Sequence, residues 1–585
     1  MMSRMKRVLT LTLSMLLLFT AALSMPLLGQ EGGLPLRDVF ESIGANVFWD
    51  AENGHVVVQH QQLELVFVHN ESNALINGES FALQYPITLV NNQTMISYAD
   101  ASFLLSNFAG SAWLTVEERV FGLSVIWRGV SDMSPFISTA PEGFDWDALF
   151  LEYIPQVVAA ADMVEYYEVL SRFLAHLGDG KSNIQSPASP YINPMLVDYV
   201  DGSFVVTGIS PERVDIPLGS VVLSVNGVDT GTFLEENFGA LDGRRAPLVR
   251  ESILATNFTI GSRPISMTLE ILPTGQSEVI HETISFAPLS EELMTEVAMA
   301  QSHALDVRNF WDVESMTLLA QGATAFALDN NIHHITIETF LNPVLPEAVR
   351  QYIEDVADTA QAFIFDLRGN GGGTSDMVIL GQFAEMDDLI ANSARSYRQM
   401  RDGALMGVAN SVVASRALGV ELPDEIWGLV VDGRSLHQGL DMLNSTHLEP
   451  MLEFEIEGVG MDSWDIGLIA EQSLRLFDIP VVILVDHYSA SASESFASAA
   501  MGVNNFTIMG TNTAGMAGDI SPFLLPGGGL LSLNVVKQLT HDGQVINNHG
   551  IMPDVWVAQS LSDLLNGIDT QLTAAVEYLA DRISQ

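Results

Sequence analysis

Three serines at alternate positions, Ser489, Ser491 and Ser493, follow the apolar run Val481 to Val485, with Asp486, His487 and Tyr488 between. The mostly β-branched run reads as a short buried strand, the polar trio as a turn, and the small residues that follow as the start of a helix. A serine at the mouth of such a turn has its hydroxyl exposed. The helix behind it aims unpaired backbone N–H groups and a partial positive charge at whatever binds there. That arrangement suits a nucleophile whose attack creates an oxyanion. The plain alternative is three helix-capping serines.

A second stretch bears on the choice. Ala362 to Asp366 is another short apolar strand, and it runs into Gly371, Gly372 and Gly373. Successive glycines admit left-handed backbone and a close approach to a ligand, so their amides can donate to a developing negative charge. Taken alone, such a run usually marks only a turn.

In order along the chain, DLRGNGGG (366–373), SASASE (489–494), GTNTAG (510–515) and HGIMPDVWV (549–557) resemble the C-terminal processing peptidases and their tricorn-like relatives. Those are serine peptidases with a crotonase-like core. The resemblance implies that Ser491 is the nucleophile and that the amides of Ala492 and of the Gly371–Gly372 turn form the oxyanion hole. In the Ser-Lys branch of the family the base is a lysine in a T-x-G-K motif, which here reads Thr513, Ala514, Gly515, Met516. The spacing is kept and the base is missing, because a thioether cannot take a proton from serine. The tricorn-like branch takes its base from a histidine in an upstream loop that often resembles D-G-H-S. The corresponding loop here is Gly178 to Ser182, with Lys181 where that histidine would stand. Tricorn-like enzymes also place a supporting glutamate just ahead of the G-x-x-P-D element, a region occupied here by Asn547, Asn548 and His549. His549 is therefore the reserve candidate for the base, although a turn histidine is more often merely exposed.

Composition makes Lys181 conspicuous, since the only other lysines among 24 basic residues are Lys6 and Lys537. Desolvation lowers the pKa of a lysine because the charged form loses its hydration, and the neutral amine can then activate a serine. The alternative is an ordinary solvated lysine in a glycine turn. The same GDGKS segment looks like the end of a phosphate-binding loop, but Ala175 stands where the first glycine is needed. The preceding Met163, Tyr166, Tyr167, Leu170, Phe173, Leu174 and Leu177 also follow helical spacing, where that motif needs a strand.

The elements that must position these groups follow from the whole chain. Its 585 residues suggest three or four domains. Arg4, Lys6 and Arg7, then an apolar stretch from Val8 to Leu23, make residues 1–24 a secretory signal peptide and the remainder extracytoplasmic, secreted or in the cell envelope. The absence of cysteine excludes disulfides and thiolate metal sites. A formal charge of −48 argues against nucleic acid and anionic lipid as partners. No other run approaches the length of a membrane span.

Residues 34–108 alternate short strands with turns and resemble the N-terminal module of copper amine oxidases, a spacer or an attachment to envelope or partner. Its His55 and His60 are isolated, so no copper is expected. Residues 110–185 are helical, and 190–290 are β-rich with a PDZ-like stretch, PLGSVVLSVNGVDTGTF, which implies capture of an extended peptide at a sheet edge. The catalytic core spans 305–560, with residues 374–480 as a lid or cleft insertion and a final packing helix, Leu564 to Leu579, within 561–585. His333 and His334 are adjacent on an alternating strand and face opposite ways, which speaks against a joint metal site. The expected fold is thus a mixed α/β (α+β) multidomain chain with a crotonase-like ββα core, a PDZ-like β domain, a helical segment and a small β-rich N-terminal module. The expected function is a secreted serine endopeptidase without cofactor or metal, acting on peptide or protein substrates. The other class is a silent relative that keeps the cleft to bind peptides or ligands, which the missing base at two expected positions favours.

Overall fold

The computed structural model describes residues 34–397 and 477–584 apart from short stretches within them, the longest being 105–113. The proposed signal peptide and most of the 374–480 insertion lie outside the described residues.

The N-terminal module is an antiparallel meander of Asn46–Asp50, His55–His60, Leu63–Phe67, Asn73–Ile76 and Glu79–Ala82. The short helix Leu36–Glu41 lays Leu36, Val39 and Phe40 on its apolar face, where Val47, Val58, Leu65 and Phe67 meet them. His55 and His60 sit at the two ends of one strand and, an odd number of positions apart, belong to opposite faces. Among the described residues no group of three or more ligating side chains exists anywhere.

Three helices follow: α1 (Val116–Met133), α2 (Trp146–Ala159) and α3 (Met163–Ala175). Helix α1 opens with a capping box, Thr115 accepting from the Glu118 N–H while Glu118 reaches back to the Thr115 N–H, and Asp162 caps α3. Their buried faces close over Leu531 and Leu533 of the hairpin Ile520–Leu524/Leu530–Asn534 and over Val535 just after it. The buried Tyr167 of α3 fixes the docking. Its hydroxyl donates to the Pro526 carbonyl and accepts from the Gly529 N–H, both at 2.8 Å. The chain leaving α3 adds Asn183–Gln185 as a third strand against Leu530–Ser532, so the GDGKS loop is held at both ends.

Next comes an antiparallel sheet of Met195–Val200, Ser203–Ile209, Val221–Val225, Ser266–Leu272 and Ile280–Ser285, with the helices Thr230–Phe238 and Pro247–Ala255 beside it. The core that follows is a seven-stranded sheet in chain order: β1 (Thr317–Ala320), β2 (Ala323–Ala327), β3 (Ile332–Ile337), β4 (Ala362–Asp366), β5 (Val481–Val485), β6 (Phe506–Gly510) and β7 (Val555–Trp556). Strands β3 to β7 are parallel. Strand β3, which alternates in sequence, is buried along its whole length because both faces of the sheet are covered. Ile335, Phe363, Ile483 and Ile508 face helices α4 (Leu345–Val356) and α5 (Ala492–Ala500), whereas Ile332, Ile364, Val482 and Met509 face α6 (Thr570–Ile583). His333 and His334 accordingly split, one to the Tyr352 hydroxyl on α4 and the other to Asp366.

The C-terminal segment corrects the single helix expected from 564 to 579. It is two, Leu561–Leu565 and α6, parted at Gly567 with φ +72°, a left-handed conformation natural to glycine. The break lets Asp569 cap α6 and also take both terminal nitrogens of the buried Arg368 at 2.8 Å. Arg368 pairs with Asp366 on its other side at 2.6 Å. Removing one partner of a buried ion pair leaves a desolvated charge. Asp569→Ala is therefore expected to cost about 3 kcal/mol of unfolding free energy, measured by urea denaturation.

Candidate active site

Strands β4 and β5 are parallel neighbours, with Asp366 opposite Leu484. Their carboxyl ends therefore release the glycine turn and the serine turn side by side. The three serines divide the work. Ser489 Oγ donates to the Leu367 carbonyl at 2.8 Å, and Ser493 Oγ donates to the Asn370 carbonyl at 3.0 Å. The outer two thus fasten one turn to the other. Asp486 Oδ1 gathers the N–H groups of Gly369, Tyr488 and Ser489, each at 3.0 Å.

Ser491, the middle serine, stands at φ 54°, ψ −113°, a strained conformation for a non-glycine residue. It joins β5 to α5 as an exposed nucleophile on a strand–turn–helix does. The amides of Ala492 and Gly371 have no acceptor among the described residues. The Gly372 amide, expected to serve the same hole, is already given to Asn370 Oδ1 at 2.8 Å. What Gly372 supplies is closeness. A Cβ there would lie 2.7 Å from Ser491 Cβ and 2.9 Å from the Ala490 carbonyl oxygen.

Lys181 Nζ lies 3.0 Å from Ser491 Oγ, although 310 positions separate them. The lysine is half-buried. Burial lowers its pKa, while the charges of Asp519, Glu494 and Asp179 pull in the opposite direction. Its loop is set by the buried Asp179, whose Oδ2 accepts from the Ser182 N–H at 2.8 Å and the Ser182 hydroxyl at 2.5 Å. Asn534 donates to Asp179 Oδ1 and gives its own N–H to Ser182 Oγ.

His549 is not brought to the serine. Its side chain is exposed, and Nδ1 lies 2.9 Å from the Asn547 carbonyl oxygen of its own turn. Met516 lies against Val249, Ile253, Ala490 and Ala514, filling apolar space where the family has its lysine. Sequence reasoning passed over Glu494. This buried carboxylate accepts from the N–H groups of Ser491 and Met516 at 3.0 Å, and from the Gly515 N–H and the Thr513 hydroxyl at 2.7 Å. Burial pushes it up to about 7 against the pull of those donors. Its spacing, three residues after Ser491 at a helix start, is the capping-box signal that could have identified it.

The antiparallel sheet that begins at Met195 and the helix Pro247–Ala255 touch the serine turn directly. The Tyr488 hydroxyl donates to Asp198 at 2.8 Å, and His487 Nε2 meets Ser252 Oγ at 2.9 Å.

Residues 331–557 match Peptidase family S41. The chain carries a domain of this family. Its resemblance to the C-terminal processing peptidases, read above from four motifs, is borne out. Residues 29–107 match the copper amine oxidase N-terminal domain. The Carboxyl-terminal-processing protease of Synechocystis sp. is 34% identical over 110 residues, 18% of this chain and 26% of that protein. The Probable CtpA-like serine protease of Staphylococcus aureus is 35% identical over 99 residues, 17% of this chain and 20% of that one. The matched stretch thus spans 26% or less of these curated relatives. The crystal structure of mature CPAF shares the fold, with a TM-score of 0.57 at 15% identity over 80% of this chain and 96% of that one.

Because Gly372 abuts Ser491, Gly372→Ala must displace the serine or its neighbouring amides. The expected result is a loss on the order of a hundredfold in labelling of Ser491 by a fluorophosphonate, with the circular dichroism of the folded protein retained.

Proposed function

We propose that the S41 domain is an active serine endopeptidase in which Ser491 attacks the scissile carbonyl and Lys181 is the general base. The observation that carries this reading is the 3.0 Å contact between Lys181 Nζ and Ser491 Oγ. When the amine is neutral, its lone pair accepts the serine proton as the Oγ–carbonyl bond forms. The oxyanion takes the Gly371 and Ala492 amides. Lys181 then returns the proton to the leaving amine, and the resulting acyl-enzyme is hydrolysed by water that Lys181 deprotonates in the same way. The lysine thus enters from the position of the tricorn-like histidine, and Met516 remains an apolar residue. The loss of the lysine at 516 favours a silent binding protein, but an amine delivered from 181 removes that argument.

In this reading the chain is exported behind its signal peptide and works outside the cytoplasm, cutting exported proteins or peptides. Among the described residues no helix is long and apolar enough to cross a membrane. The β domain of residues 190–290 is the PDZ-like module that presents an extended substrate, supported by its hydrogen bonds to Tyr488 and His487 in the turn ahead of Ser491. The core is crotonase-like, and the N-terminal module is a spacer or envelope attachment, supported by the packing of Leu524 from the peptidase hairpin on its core.

The test is the rate of fluorophosphonate labelling of Ser491 as a function of pH. Only the deprotonated amine is competent, so labelling should rise with pH through the lowered Lys181 pKa and then level off, and not decline. Lys181→Ala should reduce the plateau by about 10² to 10³. Labelling that survives Lys181→Ala removes the base assignment, and folded protein that is never labelled at neutral or alkaline pH is a binding protein.

A further inference from the structure

One residue grips the loop that carries Lys181. Asn548 has left-handed backbone, φ 64°, and its side-chain amide meets the loop twice. Oδ1 accepts from the Gly180 N–H at 3.0 Å, and Nδ2 donates to the Gly178 carbonyl. Its own N–H donates to the Gly515 carbonyl at 2.7 Å. Gly515 in turn gives its N–H to Glu494, which also holds the Ser491 N–H. A continuous line of hydrogen bonds therefore links the main chain under the amine to the main chain under the hydroxyl. There is no slack in it, since a Cβ on Gly515 would fall 2.8 Å from the Asn548 carbonyl carbon.

The chemistry of the grip calls for an amide. The loop presents one N–H and one carbonyl, so the side chain must offer an acceptor and a donor together. A carboxylate would satisfy Gly180, leave the Gly178 carbonyl unmet, and put a negative charge beside the residue that must lose a proton. Three acidic groups already face the amine, Asp519, Glu494 and Asp179. A fourth would hold the ammonium charged.

We propose that Asn548 is a positioning residue for Lys181, fixing the Gly178–Gly180 turn so that the amine reaches Ser491 and, by being uncharged, leaving that amine free to deprotonate. The proposal rests on the peptidase reading for the use made of the amine. Its placement of the amine can be tested separately.

Two measurements on the full chain do so across a pH series. One is fluorophosphonate labelling of Ser491. The other is competitive acetylation of Lys181 by trace acetic anhydride, read by mass spectrometry, which reports the protonation of the amine whether or not the serine reacts. Asn548→Ala should lower the labelling plateau at least tenfold. Asn548→Asp should move the Lys181 midpoint upward by about one pH unit in both measurements. Parental plateau and midpoint in both variants would overturn the proposal. So would an unmoved midpoint in Asn548→Asp accompanied only by a lower melting temperature, which marks a purely structural residue. If the parent is never labelled at Ser491 but the acetylation midpoint rises in Asn548→Asp, the peptidase reading fails and the grip stands. If labelling occurs and the midpoint stays put, the reverse holds.

Discussion

A lysine in contact with a serine hydroxyl is useful to catalysis only while it lacks its proton, and much of the surrounding structure answers to that constraint. An exposed amine in a chain of formal charge −48 would remain an ammonium ion. Lys181 is drawn in from solvent, and no carboxylate is hydrogen-bonded to its Nζ among the described residues. The buried Glu494 spends both oxygens on four other donors. Its charge is felt by the amine, but its lone pairs are engaged elsewhere.

The same economy shapes the serine side. Ser491 occupies a backbone region that a serine adopts only when its surroundings impose it. Those surroundings are the carboxylate of Glu494, the close face of Gly372, and the two flanking serines that hold the glycine turn against the serine turn. Parallel pairing of β4 with β5 brings the turns to one edge, and side chains rather than the sheet then fix their separation.

Local pattern made part of this legible. The apolar run before Ser491, the glycine run after Asp366 and the rarity of lysine single out Ser491, the glycine turn and Lys181, three groups that the fold brings together. What local pattern does not carry is which polar group has already been used. Nothing in the order of residues says that the Asn370 side chain takes the Gly372 amide, leaving Gly371 and Ala492 open. His549 looked like a spare base because histidines titrate near neutrality, yet its ring is turned onto its own loop. The C-terminal segment, expected as one helix from Leu564 to Leu579, is broken at Gly567. Only the partner of Arg368, 201 positions away, explains why the break and the cap at Asp569 are needed.

That last pairing sets an order of events. Arg368 lies in the loop that ends in the glycine cradle, and its second carboxylate, Asp569, comes 201 positions later at the cap of α6. Until residues 569 to 571 are present, the guanidinium has only Asp366 to meet it, and the cradle lacks its anchor. A chain lacking Asp569 would then carry the serine and the amine beside a glycine turn that has lost one of its supports. The last support of the glycine turn is thus laid down well after both of the groups beside it.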